Sequence, residues 1–344
     1  MGGKELLHRD VVLPPHVPEL PQNISARSWV LVDIDSGDVI AARDPHGRYQ
    51  PASILKLLTC VTLLPLLPGN RKLVVSRRAA ETEGSHAGLV AKGHYTVDQL
   101  FEGLLLVSGN DTAAALAEAA GGVKKTVALM NQKALALGAY DTYVQTPSGL
   151  DGWRQLTSAY DMALVLRAAL AQPRFVRYDR VTTAVLPFQP VVGRVEMNNQ
   201  NAFFLTAVTG ALVAKSGYTD AARHTYVAAV KRDGRRFGVV LLSGERWPLD
   251  QWQQATQLVE WGAALPEGTP AIGHLDPAVT TPAKATQHRS SDASGGRAVA
   301  MSKNAGDWPG QSHNALVALA VAIFAAIAAF GWRVRRARSF SSRC

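Results

Sequence analysis

The sequence predicts an α+β domain: one antiparallel sheet of about five strands, covered by helices and carrying a helical subdomain, with one transmembrane helix C-terminal to it. Three observations carry this. Strand-like text lies at Ser28–Arg43 and again at Ala211–Leu242, with helical text between, so strands from both ends must meet in one sheet. Asp233-Gly234 separates two apolar runs, which is a strong hairpin signal. Finally, Ala315 to Trp332 is an 18-residue run without a charge, about the least that spans a bilayer.

Each element follows in order. Residues 1–27 form a proline-rich N-terminal extension with no apolar core of the kind a secretory signal needs. SWVLVDIDSGDVIAAR, Ser28 to Arg43, reads as two strands around an Asp35-Ser36-Gly37-Asp38 turn. Pro51 opens a helix that ends at Pro65, and its nearly all-round apolar character predicts a buried central helix. Val97 to about Ala171 is mostly helical. Strands return at Ala211–Gly217, Thr225–Val230 and Arg236–Leu242, and an amphipathic helix, Leu249–Leu265, closes a folded domain over 28–265. Residues 266–313 are rich in Pro, Ala, Thr, Ser and Gly without periodicity, the composition of a flexible linker. The transmembrane helix takes 314–332, and Arg333, Arg335, Arg336 and Arg338 begin a basic tail over 333–344. Basic residues stay on the cytoplasmic side, so the folded domain is expected outside a single-pass cell membrane. That topology requires export, and the expectation is a signal that lies upstream or has been removed.

Composition narrows the function classes. The chain is 47% hydrophobic and 18% charged, so a packed core is expected. The net charge of +9 is not gathered into a basic and aromatic stripe, which argues against a nucleic-acid partner. The two cysteines, Cys60 and Cys344, are no disulfide framework, and the nine histidines have no ligand spacing. Neither a metal nor another cofactor is expected.

Three short motifs carry chemistry. Ser53-Ile54-Leu55-Lys56 is SxxK at the start of the buried helix, Ser108-Gly109-Asn110 is SxN between helices, and Lys215-Ser216-Gly217 ends a strand as a KTG-like triplet. Each alone is weak; their order and placement make them a set. Positions three apart share a helix face, so the Lys56 amine can reach the Ser53 hydroxyl. Burial disfavours a charged amine, so Lys56 can serve as general base and Ser53 as nucleophile. Ser108 would relay a proton to the leaving amine, and Asn110 would hold a substrate amide. Lys215 adds positive charge, and Ser216 can bind a terminal carboxylate.

Beyond these motifs the chain has Thr146-Pro147-Ser148-Gly149-Leu150-Asp151, then Thr157–Ala163, then Asn199-Gln200-Asn201 ahead of Lys215–Asp220. Over roughly Ser28 to Leu265 it resembles the low-molecular-mass penicillin-binding proteins, the D-alanyl-D-alanine carboxypeptidases of serine peptidase family S11. The resemblance implies a β-lactamase/transpeptidase-like fold and acylation of Ser53 by peptidoglycan stem peptides, with β-lactams as covalent inhibitors. It also implies an oxyanion hole from the backbone N–H groups of Ser53 and Tyr218, with Gly217 beside it. The chain departs from the family in Ser216 for Thr, Leu55 before the lysine, Arg223 for a small residue, and a linker in place of a second β domain. A serine β-lactamase on the same fold is the first alternative, but no glutamate lies between Glu118 and Glu196 to activate a deacylating water. A catalytically inactive peptidoglycan-binding module is the second.

Overall fold

The computed structural model describes residues 2–206 and 208–276. A 3-10 turn, Lys4–Leu7, precedes β1 (Val11–Val12), β2 (Ser28–Asp33) and β3 (Asp38–Arg43). A 3-10 turn at Ala52–Leu55 runs into α1 (Lys56–Leu63). Then come β4 (Lys72–Val74), α2 (Arg77–Ala80), β5 (His94–Thr96), α3 (Val97–Leu106), α4 (Asn110–Ala119), α5 (Val123–Ala136), α6 (Ala159–Leu170) and α7 (Pro173–Asp179). The hairpin β6 (Thr183–Gln189) and β7 (Gly193–Asn198) leads to α8 (Ala202–Leu205). β8 (Ala211–Thr219), β9 (Arg223–Arg232), β10 (Arg235–Gly244), α9 (Gln251–Ala263) and β11 (Gly273–His274) complete the order.

The two ends of the domain do share one sheet. Its strand order is β1-β3-β2-β10-β9-β8, with β11 also on β3, seven strands in all and every pairing antiparallel. The five long strands are those expected from sequence; β1 and β11, of two residues each, are too short to leave a pattern. Asp233 and Gly234 both have left-handed φ, 47° and 83°, as the tight turn between β9 and β10 requires. Alternation along the strands then sorts the side chains. Val30, Val32, Val227 and Val240 face a core with α1, α3 and α6. Trp29, Leu31, Tyr226 and Val239 face a second core under α9.

Three features differ from the sequence expectation. Residues 2–27 are part of the fold: Leu6 is fully buried, Leu13, Val17, Leu20 and Ile24 pack on the second core, and Trp261 Nε1 donates to Pro18 O at 3.1 Å. The folded body also runs past residue 265. β11 pairs with β3, Ile272 and Leu275 are buried, and Tyr160 Oη donates to His274 O at 2.9 Å. The proposed linker text up to Asp276 therefore belongs to the domain. Two further strand pairs, β4–β5 and the hairpin β6–β7, sit outside the main sheet. The first has three-residue strands; the second leaves apolar Val185 and Phe188 exposed and carries Pro187, so neither shows apolar alternation in sequence. Among the described residues no helix is long and apolar enough to cross a membrane; the run Ala315–Trp332 lies outside them.

Candidate active site

The site forms where the start of α1, the turn before α4 and the edge strand β8 meet. Ser53 lies in the 3-10 turn, and Lys56 is the first residue of α1. The Lys56 side chain is fully buried. Its Nζ donates to Ser53 Oγ at 2.9 Å, to Asn110 Oδ1 at 2.7 Å and to Ser148 O at 2.8 Å. Burial pushes the Lys56 amine well below the ordinary lysine range, and the nearby Lys215 cation pushes the same way. Once neutral, the amine keeps two N–H groups, enough for Asn110 Oδ1 and Ser148 O, and its lone pair can accept from the Ser53 hydroxyl as a general base must.

Two loops hold this pair. Asp111, buried beside Asn110, accepts the backbone N–H groups of Ala87, Gly88 and Leu89, which fixes one wall. The opposite side is the loop Thr146–Asp151, whose Ser148 carbonyl holds Lys56 and whose Pro147 carbonyl accepts from Thr59 at 2.6 Å. Gly149 has φ +91°, and a Cβ there would lie 1.9 Å from Ala52 O. Only glycine allows this loop so close to the nucleophile turn. β8 approaches from the other side: a Cβ on Gly217 would lie 2.7 Å from Ser53 N, and Thr225 Oγ1 of the neighbouring strand donates to Pro51 O at 2.8 Å.

The eight residues singled out in the sequence thus come together. A cleft of about 430 Å³ is lined by Ser53, Ser108, Ser216, Gly217 and Tyr218 among others. Ser108, with left-handed φ of 59°, has a buried Oγ with no hydrogen-bond partner among the described residues. It shares a small cavity with Lys215. Lys215 is buried, its Nζ donates to Ser216 O at 2.9 Å, and burial pushes its pKa down to about 8 against the opposing pull of the Asp179 carboxyl. Asp179 is itself raised to about 7 by burial and accepts from Ala214 N at 2.9 Å.

Asn110, expected to hold a substrate amide, also reaches the lysine. Its Oδ1 accepts from Lys56 Nζ and one N–H of its Nδ2 donates to Glu83 O at 2.7 Å, so it positions the lysine within the protein. Arg223, which stands where the family has a small residue, is exposed and turned to Glu245 in a two-point ion pair at 2.9 and 2.8 Å. Ser85, His224, Arg246, Gln251 and Trp252 also line the cleft and are not singled out by the sequence, while Gln200 stands out there only within the Asn199-Gln200-Asn201 text. Ser85 and Arg246 lie in loops, His224 near the start of β9, and Gln251 and Trp252 in the first turn of α9, none with a local signature. Ser148 acts through its backbone carbonyl, which no side-chain motif can announce, although the Thr-Pro-Ser-Gly-Leu-Asp text marks the loop.

Residues 15–245 match the peptidase S11 family, D-alanyl-D-alanine carboxypeptidase. The chain belongs to this family. It is 40% identical over 245 residues to the D-alanyl-D-alanine carboxypeptidase DacB2 of Mycobacterium tuberculosis, covering 70% of this chain and 83% of that one. A crystal structure of a D-alanyl-D-alanine carboxypeptidase from the same organism superimposes with a TM-score of 0.72 at 37% identity, over 76% of this chain and 99% of the other. A Streptomyces DD-transpeptidase at 23% identity shares the fold, with a TM-score of 0.67 over 72% of this chain and all of that one. This S11 member is thus a serine peptidase on the penicillin-binding fold, as the motifs imply.

Proposed function

We propose that this S11 peptidase removes the terminal D-Ala from peptidoglycan stem peptides through an acyl-enzyme on Ser53. The observation that carries the reading is the fully buried Lys56 Nζ, 2.9 Å from Ser53 Oγ at the cleft floor. Neutral Lys56 takes the Ser53 proton as Oγ attacks the carbonyl carbon of the penultimate D-Ala. The backbone N–H groups of Ser53 and Tyr218 receive the developing oxyanion. The C–N bond breaks, and the leaving amine takes up a proton through Ser108, so D-Ala departs neutral overall. A water then adds to the ester, gives its proton back to the Lys56–Ser53 pair and frees the shortened peptide. Lys215 and Ser216 face the terminal carboxylate, and Gly217 leaves room for substrate backbone along β8.

β-Lactams fit the same family and site as acylating inhibitors. The inactive-module alternative is less well supported, because every side chain that acylation needs is present and in reach. For location, the reading is a domain outside the cell membrane, held by 314–332 through the chain from Pro277 to His313, with the arginine-rich tail inside. The test is digestion of a synthetic pentapeptide ending in D-Ala-D-Ala, followed by mass spectrometry. Loss of one alanine by the wild type and no loss by a folded Ser53→Ala variant is expected. Equal cleavage by both would place the nucleophile elsewhere, and cleavage by neither would favour the inactive module.

A further inference from the structure

An exposed aromatic cluster stands on the outer side of the loop that holds the catalytic lysine. Trp153 is 88% exposed and Tyr143 45%. The Arg154 guanidinium carbon lies 5.1 Å from the Tyr143 ring centre and 5.7 Å from that of Trp153, which groups the three side chains. A tryptophan so exposed adds little to folding, so core packing does not explain it.

The backbone under this cluster is nevertheless tightly fastened. Gln155 is fully buried, and its Oε1 accepts the backbone N–H groups of Gln145 and Thr146 at 3.0 and 2.8 Å. Arg154 N donates to Gln145 Oε1 at 3.0 Å, and Tyr143 exchanges backbone hydrogen bonds with Leu156 at 2.8 and 3.1 Å. A rigid support under an exposed ring lowers the ordering cost of binding something on it.

One loop ties the cluster to the cleft. Two residues before Trp153, Asp151 accepts from Thr219 Oγ1 at 2.6 Å, at the end of β8. Five residues before it, the Ser148 carbonyl holds Lys56. A substrate that extends along β8 past Tyr218 meets Asp151 beside Thr219, two residues from Trp153 in the chain.

We propose that Trp153, Tyr143 and Arg154 form a saccharide subsite, which binds a pyranose of the glycan strand that carries the stem peptide. The proposal rests on the reading of the substrate as peptidoglycan. A pyranose ring offers a face of C–H groups and a rim of oxygens. The indole and phenol faces match the first, and the guanidinium, a fork of N–H donors without an acceptor, matches the second. The subsite acts on binding and leaves the chemistry at Ser53 untouched.

The test compares two substrates on the full chain: a free pentapeptide, and the same pentapeptide joined to its N-acetylglucosaminyl-N-acetylmuramyl disaccharide. Wild type is expected to show a kcat/KM roughly fivefold to tenfold higher on the disaccharide form, carried by KM, the size of one aromatic contact. Trp153→Ala should erase that preference with kcat/KM on free pentapeptide unchanged, and Trp153→Phe should restore most of it. No preference in wild type, or an equal loss on both substrates in Trp153→Ala, would overturn the subsite. A parallel saturation-transfer NMR measurement uses the peptide-free disaccharide. Transfer to the sugar protons by wild type, lost in Trp153→Ala, supports the subsite even where neither peptide is cleaved; absence of transfer in wild type counts against it. Failure of the peptidase reading and failure of the subsite are thus read separately.

Discussion

In the proposed mechanism two buried lysines have opposite duties in the cleft. Lys56 must be neutral to take the Ser53 proton, and burial pushes it that way. Lys215 serves as a cation, yet burial brings it down to about 8. As pH rises through the lowered Lys56 value, activity appears; as pH passes about 8, the Lys215 charge and the activity are lost. A bell-shaped profile of kcat/KM with its alkaline limb near 8 is the expected outcome, and Lys215→Arg should move that limb upward, because a guanidinium stays charged. An unmoved limb would assign it to another group. For both amines the unfolded chain binds more protons than the folded one, so each makes the protein more stable as pH rises from its own lowered value, about 8 for Lys215, toward the ordinary lysine range. Residue positions also bear on β-lactams. The aspartates that could replace a deacylating glutamate are otherwise engaged: Asp141 by His46 and Arg48, Asp151 by Thr219, Asp161 by Thr142 and Asp179 by Ala214 N. None hydrogen-bonds to Ser53. The tethered leaving amine of an opened β-lactam obstructs water, so a penicillin adduct on Ser53 lasting minutes or longer is expected by intact-protein mass spectrometry. Rapid turnover without an adduct would favour the β-lactamase alternative.

At the scale of elements, the site depends on how closely three backbone segments approach. The nucleophile turn is wedged between the Gly149 loop and the Gly217 strand, and both contacts are backbone-tight. In Gly217→Ala the new Cβ would sit 2.7 Å from Ser53 N and 2.5 Å from Thr225 Oγ1, so β8 must move outward. A displacement of about 1 Å costs catalysis on the order of a hundredfold. The expectation is that loss in the rate of fluorescent-penicillin acylation, with a far smaller change in thermal midpoint, because β8 remains paired to β9 along its length. Unchanged acylation would show that the strand does not limit the site. The sequence announced much of this. SxxK on an apolar helix, the Asp233-Gly234 turn and the strand text around Lys215–Gly217 each record a local requirement in side-chain type. What it left silent is relational. The Asn110 amide reads as a substrate contact, and its ties to Lys56 and to the Glu83 carbonyl leave no sequence signal. The Gln200 and Trp252 walls come from segments that chain distance keeps apart.

At the scale of the whole molecule, the two ends of the described chain close the sheet edge opposite β8. Gly2 N donates to Asp276 Oδ2 at 2.8 Å, and His274 N donates to Gly2 O at 2.8 Å. β1 and β11 both lie on β3, and a covered edge resists pairing with another chain. Composition alone placed a linker from residue 266, because Pro, Gly and Thr dominate there and a two-residue strand has no period to detect. Leu275 is nonetheless 3% exposed and Ile272 8%, and burying each contributes roughly 1.5–3 kcal/mol. Tyr160 adds two hydrogen bonds, donating to His274 O and accepting from Asp276 N, both at 2.9 Å. A chain cut after Leu265 loses all of these and bares the Asp38–Val39 half of β3. It is therefore expected to melt several degrees lower and to associate at high concentration, whereas a chain cut after Asp276 keeps full thermal stability and full acylation by penicillin. The site itself lies on the β8 edge, away from this seam, so whatever folded fraction the shorter chain retains should acylate at the normal rate. Calorimetry, light scattering and penicillin labelling of the two truncations decide it. Equal melting of both would show that the β11 seam carries no stability, and slow acylation in the shorter chain alone would show that the two edges of the sheet are coupled.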